Sequence, residues 1–440
     1  MTMPRYKTIA DQVAENIRNG RLRPGTQLPT VRTLMREHGI ALATAARVYR
    51  TLESMGLVVG EMGRGTFVRD TSLPRDLGLQ PAYGAGLIDL TFNNPAVPGQ
   101  AEMLRQALRN LASSGDLDAL LHNAPHGGRP HERETAAKHL RNRGIRVPGS
   151  QVLIVNGAQQ GLAMAMMALL KPGEVLAVDA LTYPGIKALA VAHCIELLPI
   201  PLADGKTNLD ALATSCKQRP VRAFYTMPTL HNPLGSIMPA ADRKRLIALA
   251  EEHDFALIED GAYAFLAEPA PKPLFTLAPH RTIYVSGLSK SVASGLRIGF
   301  IAAPLSLIPA LEQAVRASTW SSPSITVELA CRWIEEGVVD DLEELKRKDA
   351  ANRQRIARRI FGGINLVGHP NAYFLWLPLP EDIRAESVAA ALRRDNIMVT
   401  TAEPFSAASN VPNALRVALG SIPVETLKLA LTKVRVACGY

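Results

Sequence analysis

Five short, nearly unbroken apolar runs constrain this chain more than any other feature. VLIVNGA, EVLAVD, RAFYTMP, FALIED and RTIYVSG begin at positions 152, 174, 222, 255 and 281 of a 440-residue sequence. The segments between them suit helices. Strands apolar on both faces, alternating with helices, make an α/β body with a largely parallel sheet covered on both sides. Such a sheet gathers its ligands beyond the carboxyl ends of the strands. The residues with chemistry to offer fall there.

Gly157, Ala158 and Gln159 follow the first run and open the apolar helix GLAMAMMALL, where backbone amides favour a phosphate. Tyr183 follows the second run, held by Pro184 and able to stack on a flat ring. Asn232 lies in MPTLHNPLG, Asp260 ends FALIED, and Tyr263 comes three residues later. Ser286 and Ser289 flank the turn of SGLSK, which presents Lys290, and Arg297 follows in LRIGF. An amine at one strand end, a carboxylate at another, a helix N-terminus and an arginine together suit pyridoxal 5'-phosphate. Lys290 would form a Schiff base with its aldehyde, and Asp260 would keep its ring nitrogen protonated. Asn232 and Tyr263 would bond the ring hydroxyl, while Ser286, Ser289, Arg297 and the amides of 157–159 would hold the phosphate. Arg416, in ALRVALG, would clamp an amino-acid carboxylate. Taken singly, each residue has a plainer reading. Asp260 is as good a helix cap as a ring partner, Tyr183 suits packing, Asn232 suits a turn, and Arg416 suits a structural ion pair.

The net charge of +9 is unevenly placed. Residues 1–70 carry eleven Lys/Arg and six Asp/Glu, a net of +5; the other 370 carry thirty-eight and thirty-four, a net of +4. A basic head on a nearly balanced body points to a polyanion partner for the head. Within it, TIADQVAENIRN spaces Ile9, Val13 and Ile17 as one helical stripe. VRTLMREHGI, closed by Gly39, and ALATAARVYRTLESMGL read as two further helices. That is helix-turn-helix geometry, with the last helix fit for the major groove. LVVGEMGRGTFVRD then reads as a β-hairpin whose tip carries Arg64 between Gly63 and Gly65, for the minor groove or a phosphate. A small helical docking module is the plainer alternative. Residues 71–87, rich in Pro, Gly and polar side chains, read as a linker between the head (1–70) and the body (88–440).

The head, in LRPGTQLPTVRTLM, LESMGLV and GRGTFV, resembles the winged helix-turn-helix of the GntR family of bacterial regulators. That resemblance implies DNA contacts from Arg32, Thr44, Arg47 and Arg64. Ala41, Leu42 and Ala43 open the recognition helix with apolar groups, suited to thymine methyls. The body, in NGAQQGL, HNPLG, EDGAY, SGLSK and LRIG, resembles the fold-type-I aminotransferases, with a large domain and a small α+β domain. Where that family has a tyrosine that reaches the neighbouring subunit's phosphate, this chain has His122, and the small pair before its SK motif is Ser286-Gly287. The combination resembles the MocR-type regulators. It implies a cytoplasmic homodimer that binds double-stranded DNA and pyridoxal phosphate and senses an amine, amino acid or vitamer. The alternative is a pyridoxal-phosphate-dependent amino-acid aminotransferase with an attached DNA-binding domain.

Bulk properties agree with those expectations. The chain is 47% hydrophobic and 20% charged, ample for a large core. Its longest apolar stretch, 161–170, is too short to cross a bilayer, and MTMPRYKTIADQ has no apolar signal region. Cys194, Cys216, Cys331 and Cys438 are far apart, and His126 and His131 lack companion ligands, so no disulfide or metal is expected.

Overall fold

The computed structural model describes residues 5–61, 64–69, 86–114 and 116–440. Gly63, expected at the hairpin tip, and residues 71–85 of the expected linker lie outside the described residues.

In the head, α1 (Arg5–Arg18), α2 (Val31–His38) and α3 (Leu42–Ser54) precede a hairpin of β1 (Val58–Glu61) and β2 (Gly65–Val68). Thr30 caps α2 by accepting from the Thr33 amide, and Gly39 closes it in the left-handed region at φ 57°. The stripe of α1 turns inward. Ile9 and Ile17 are buried with Leu34, Val48, Leu52 and Val68 in one small core, and Val13 packs against it.

The body is built on a seven-stranded sheet. Its strands are β3 (Val152–Val155), β4 (Val175–Asp179), β5 (Glu196–Ile200), β6 (Ala223–Thr226), β7 (Ala256–Asp260), β8 (Thr282–Gly287) and β9 (Gly299–Ala302). Their spatial order is β3-β9-β8-β7-β6-β4-β5. The pairs β8–β7, β7–β6, β6–β4 and β4–β5 are parallel, and β9 runs antiparallel to both its neighbours. All five apolar runs of the sequence are strands of this sheet. Their burial on both faces explains why the runs do not alternate.

A second, smaller sheet of Phe374–Pro378, Ala414–Ala418 and Thr400–Thr401 is antiparallel. Leu375, Leu377, Leu415, Val417, Leu427 and Leu431 share its core. The long helix Val338–Ile360 ties the two halves together: Lys346 donates to the Val292 carbonyl beside the first sheet, and Arg353 donates to Leu419 O beside the second.

The head is not separate from this body. On the edge opposite β2, β1 pairs in parallel with Asn410–Val411, with Gly60 opposite Asn410 and Glu61 opposite Val411. Val59 of the head is buried with Leu181, Trp376, Phe405 and Val411 of the body.

Candidate functional site

A cavity opens where the carboxyl ends of the large sheet meet the small sheet. Ala158, Gln159, Tyr183, Asn232, Asp260, Tyr263, Ser289, Lys290, Arg297 and Arg416 all line it. They come from sequence positions up to 258 apart, and the topology brings them together. Two expected residues stand differently. Ser286 is buried within β8 and is not part of the lining, because alternation along the strand turns it away. Gly157 lies behind the wall, where its φ of 85° begins the helix Ala158–Leu169.

Lys290 follows β8 in a single helical turn, Leu288–Ser291. Its Nζ donates to the Asn93 carbonyl and sits 4.2 Å from the centre of the Phe92 ring. Burial, then the charges of Arg416, Arg297 and Lys346, pull its amine down to about 7. A lysine so placed is a nucleophile near neutral pH.

Asp260 ends β7 fully buried. Tyr225 Oη donates to Asp260 Oδ2 at 2.8 Å, and the Ala262 amide donates to Oδ1 at 2.9 Å. Desolvation raises this carboxyl to about 6 despite both bonds. A cationic partner would offset that burial and restore the charge. Desolvation likewise pushes Tyr183 and Tyr263 up, so both hydroxyls stay protonated donors.

Arg297 adopts the left-handed conformation at φ 54°. Its Nη2 donates to the Asn156 carbonyl at 3.0 Å, and Nη1 reaches Ser289 Oγ at 3.4 Å. Gly157 holds a φ of 85° that favours glycine, and a Cβ there would stand 2.6 Å from Nη2 and have to push this guanidinium aside. Gly185 serves the same end: a Cβ there would stand 2.3 Å from both the Tyr183 ring and Gln159 Oε1. Arg416, on Ala414–Ala418, is buried, donates from Nη1 to Thr91 O at 2.9 Å, and lies 4.8 Å from the Phe374 ring centre.

The lining fits pyridoxal phosphate on observations of its own. Gln159 Oε1, Asn232 Oδ1 and Arg416 Nε are buried polar atoms with no hydrogen-bond partner, and such atoms call for a polar ligand. A glycine-spaced cation, a buried carboxylate and a neutralised amine complete a donor set for phosphate, pyridinium and aldehyde.

Sequence reasoning missed Thr91, Phe92, Asn93, Tyr225 and Phe405. Tyr225 had a signal, since a tyrosine in the wholly apolar RAFYTMP needs a buried acceptor. Thr91–Asn93 lie in an aperiodic stretch, and no pattern marks them. His122 is exposed and is not in the lining, and His126 instead meets the Trp320 carbonyl through Nδ1 at 2.7 Å.

On the head, Arg32 and Arg47 are exposed and Thr44 is half-buried. The Arg47 guanidinium stands 4.1 Å from the Tyr6 ring centre, and Arg47, Arg50, Thr51 and Ser54 line one open face of α3. Arg64 differs: it is paired with Glu61 Oε2 at 3.0 Å and mostly shielded.

The head matches the model of bacterial regulatory proteins of the gntR family over residues 5–68, and the body matches that of aminotransferase class I and II over residues 85–434. An uncharacterised HTH-type transcriptional regulator of Bacillus subtilis is 27% identical, over 94% of this chain and 90% of its own. The HTH-type transcriptional regulator TauR of Rhodobacter capsulatus is 27% identical over 94% and 92%. Among solved structures, α-aminoadipate aminotransferase of Thermus thermophilus, complexed with N-(5'-phosphopyridoxyl)-L-leucine, superposes with a TM-score of 0.72. It is 24% identical and covers 84% of this chain and 97% of its own. The chain therefore belongs to aminotransferase class I and II, and it carries a gntR-type helix-turn-helix head at its N-terminus.

Proposed function

We propose that this protein is a DNA-binding transcriptional regulator whose body holds pyridoxal phosphate at Lys290 and senses an amine, amino acid or vitamer there. The observation that carries the reading is one cavity joining Lys290, Asp260, Asn232, Arg297 and Arg416 in a chain that begins with a basic helix-turn-helix. A metabolic enzyme has no use for such a head.

When bound, pyridoxal phosphate supplies an aldehyde reactive toward amines and a ring that withdraws electrons. This chain's residues do the rest. Lys290 would present to that aldehyde the neutral amine that burial favours. Asp260, fixed by Tyr225 and the Ala262 amide, holds a proton-bearing ring nitrogen. Asn232 and Tyr263 would bond the ring oxygen, and Tyr183 would cover the ring. Arg297, Ser289 and the start of the helix Ala158–Leu169 receive the phosphate; Ser286 supports that turn from within β8. Arg416 offers its unpartnered Nε to a carboxylate, and Arg32, Thr44, Arg47 and Arg64 meet DNA. We further propose a homodimer, supported by Leu104, Leu108, Leu117 and Leu121 standing exposed on the body, and boundaries of head, linker and body at 1–70, 71–87 and 88–440.

The test is gel retardation of the DNA upstream of the protein's own gene, with and without pyridoxal phosphate. Retardation at low salt, altered by the vitamer, is expected; none at low salt would refute a regulator. Arg416 in the cavity favours a second reading, an amino-acid aminotransferase. Steady turnover of an amino acid with 2-oxoglutarate would support it, and a single half-reaction or less would exclude it.

A further inference from the structure

The wing of the head and the wall of the cavity are two sides of one short segment, Ala402–Val411. On the cavity side, Phe405 lines the space, with the Arg416 guanidinium 5.8 Å from its ring centre. Its carbonyl accepts from the Thr182 amide at 2.8 Å, immediately before Tyr183, and the Ala407 amide donates to Ala180 O at 2.8 Å. On the head side, Asn410 and Val411 add a strand to β1. Val59 and Phe405 belong to the same buried apolar cluster. Fewer than ten residues therefore link the ligand's wall to the DNA-binding domain.

Charges fasten this contact. Arg384 of the body donates to Glu61 Oε1 of the wing at 2.9 Å and lies 4.1 Å from the Phe67 ring centre. Arg69, at the end of the head, pairs with Glu403 at 2.6 Å and approaches Glu386 at 3.8 Å. With Arg64 on Glu61, three guanidinium groups face three carboxylates. Paired charges out of water give a specific geometry for little net stability, which suits a contact that must open. Glu61 carries both contacts: Oε2 pairs with Arg64 of its own hairpin and Oε1 receives Arg384 of the body, so docking and the wing cation share one carboxylate.

We infer that Ala402–Val411 is a latch: pyridoxal phosphate in the cavity orders Phe405 and so holds the wing against the body, weakening the head's grip on DNA. The inference rests on the cavity's being the vitamer site. A ligand that rigidifies one face of a segment lowers the cost of ordering the other, and the two effects are reciprocal.

The test uses the full-length protein in three forms: the native chain, Val411→Asp, which puts a carboxylate into the apolar cluster, and the near-isosteric Glu403→Gln. Hydrogen exchange at the β1 amides is measured with and without pyridoxal phosphate, and affinity for a labelled duplex from upstream of the gene is measured by anisotropy. Loading the native chain should slow β1 exchange and weaken DNA binding, each about tenfold, within the range usual for coupled sites. Val411→Asp should abolish both effects and Glu403→Gln should reduce them, while Lys290 still takes up the vitamer with its visible absorbance. If Lys290 loads but β1 exchange and DNA affinity do not change, the latch is wrong and the cofactor site stands. If Val411→Asp leaves the vitamer's effect on DNA intact, the coupling does not run through this segment. Failure of Lys290 to load would instead remove the reading on which the latch rests.

Discussion

The amine of Lys290 yields the most quantitative prediction. An ordinary lysine titrates near 10.5, so at pH 7 only about one in three thousand is neutral. Buried beside Arg416, Arg297 and Lys346, Lys290 titrates near 7, and about half is neutral at that pH. The reactive fraction is thus raised on the order of a thousandfold. Mixing vitamer-free protein with pyridoxal phosphate in a stopped-flow device, across pH 5 to 9, reads this directly from the growth of visible absorbance. The rate should climb about tenfold per pH unit below 7 and flatten above about 8. A rate that keeps rising tenfold per unit through pH 9 would show an unperturbed lysine and refute the electrostatic account of the cavity. The same displacement has a sign for stability. Between 7 and 10.5 the unfolded chain holds this proton while the folded chain has shed it, so the vitamer-free protein should gain stability as pH rises through that window.

Three further outcomes follow from the geometry. Tyr225→Phe removes the 2.8 Å bond to Asp260, at a cost of about 1.5–3 kcal/mol for a bond to a charged group; equilibrium dialysis should show pyridoxal phosphate held at least about tenfold more weakly, with unchanged retention contradicting the placement of Asp260. Gly157→Ala forces a side chain into a φ of 85° and onto Arg297. The variant should fold yet lose affinity for the vitamer and for inorganic phosphate alike, and normal phosphate competition would contradict the cradle. Arg47→Ala on the open face of α3 should weaken DNA binding and lower the salt slope by about one; an unaltered slope would remove Arg47 from the phosphate contacts.

The large sheet and the cavity were legible where a residue's chemistry and its position in a pattern coincide. Lys290, Asp260 and Asn232 each end or follow an apolar run, and parallel strands deliver their carboxyl ends to one place. The antiparallel β9 was not legible as a strand from GFIA alone, because four apolar residues fit helix or strand equally well. Ser286 was expected at the phosphate because it adjoins the SK turn, yet strand alternation decides its direction. Phe405 and Asn93 come from aperiodic segments, Asn93 contributing to Lys290 through its backbone carbonyl, which any residue carries. The docking of the head was beyond sequence reasoning for a different reason. A two-residue pairing at Asn410–Val411 leaves no pattern, and the pairs Arg384–Glu61 and Arg69–Glu403 join positions more than 300 apart.

Lys290 has an internal rival in Lys346, which burial likewise pulls down, to about 8. Reduction of the vitamer-loaded protein with borohydride, proteolysis and mass spectrometry would locate the attachment. A phosphopyridoxyl mass is expected on the peptide containing Lys290 and on no other buried lysine. Attachment at Lys346 or Lys187, or none at saturating vitamer, would contradict it.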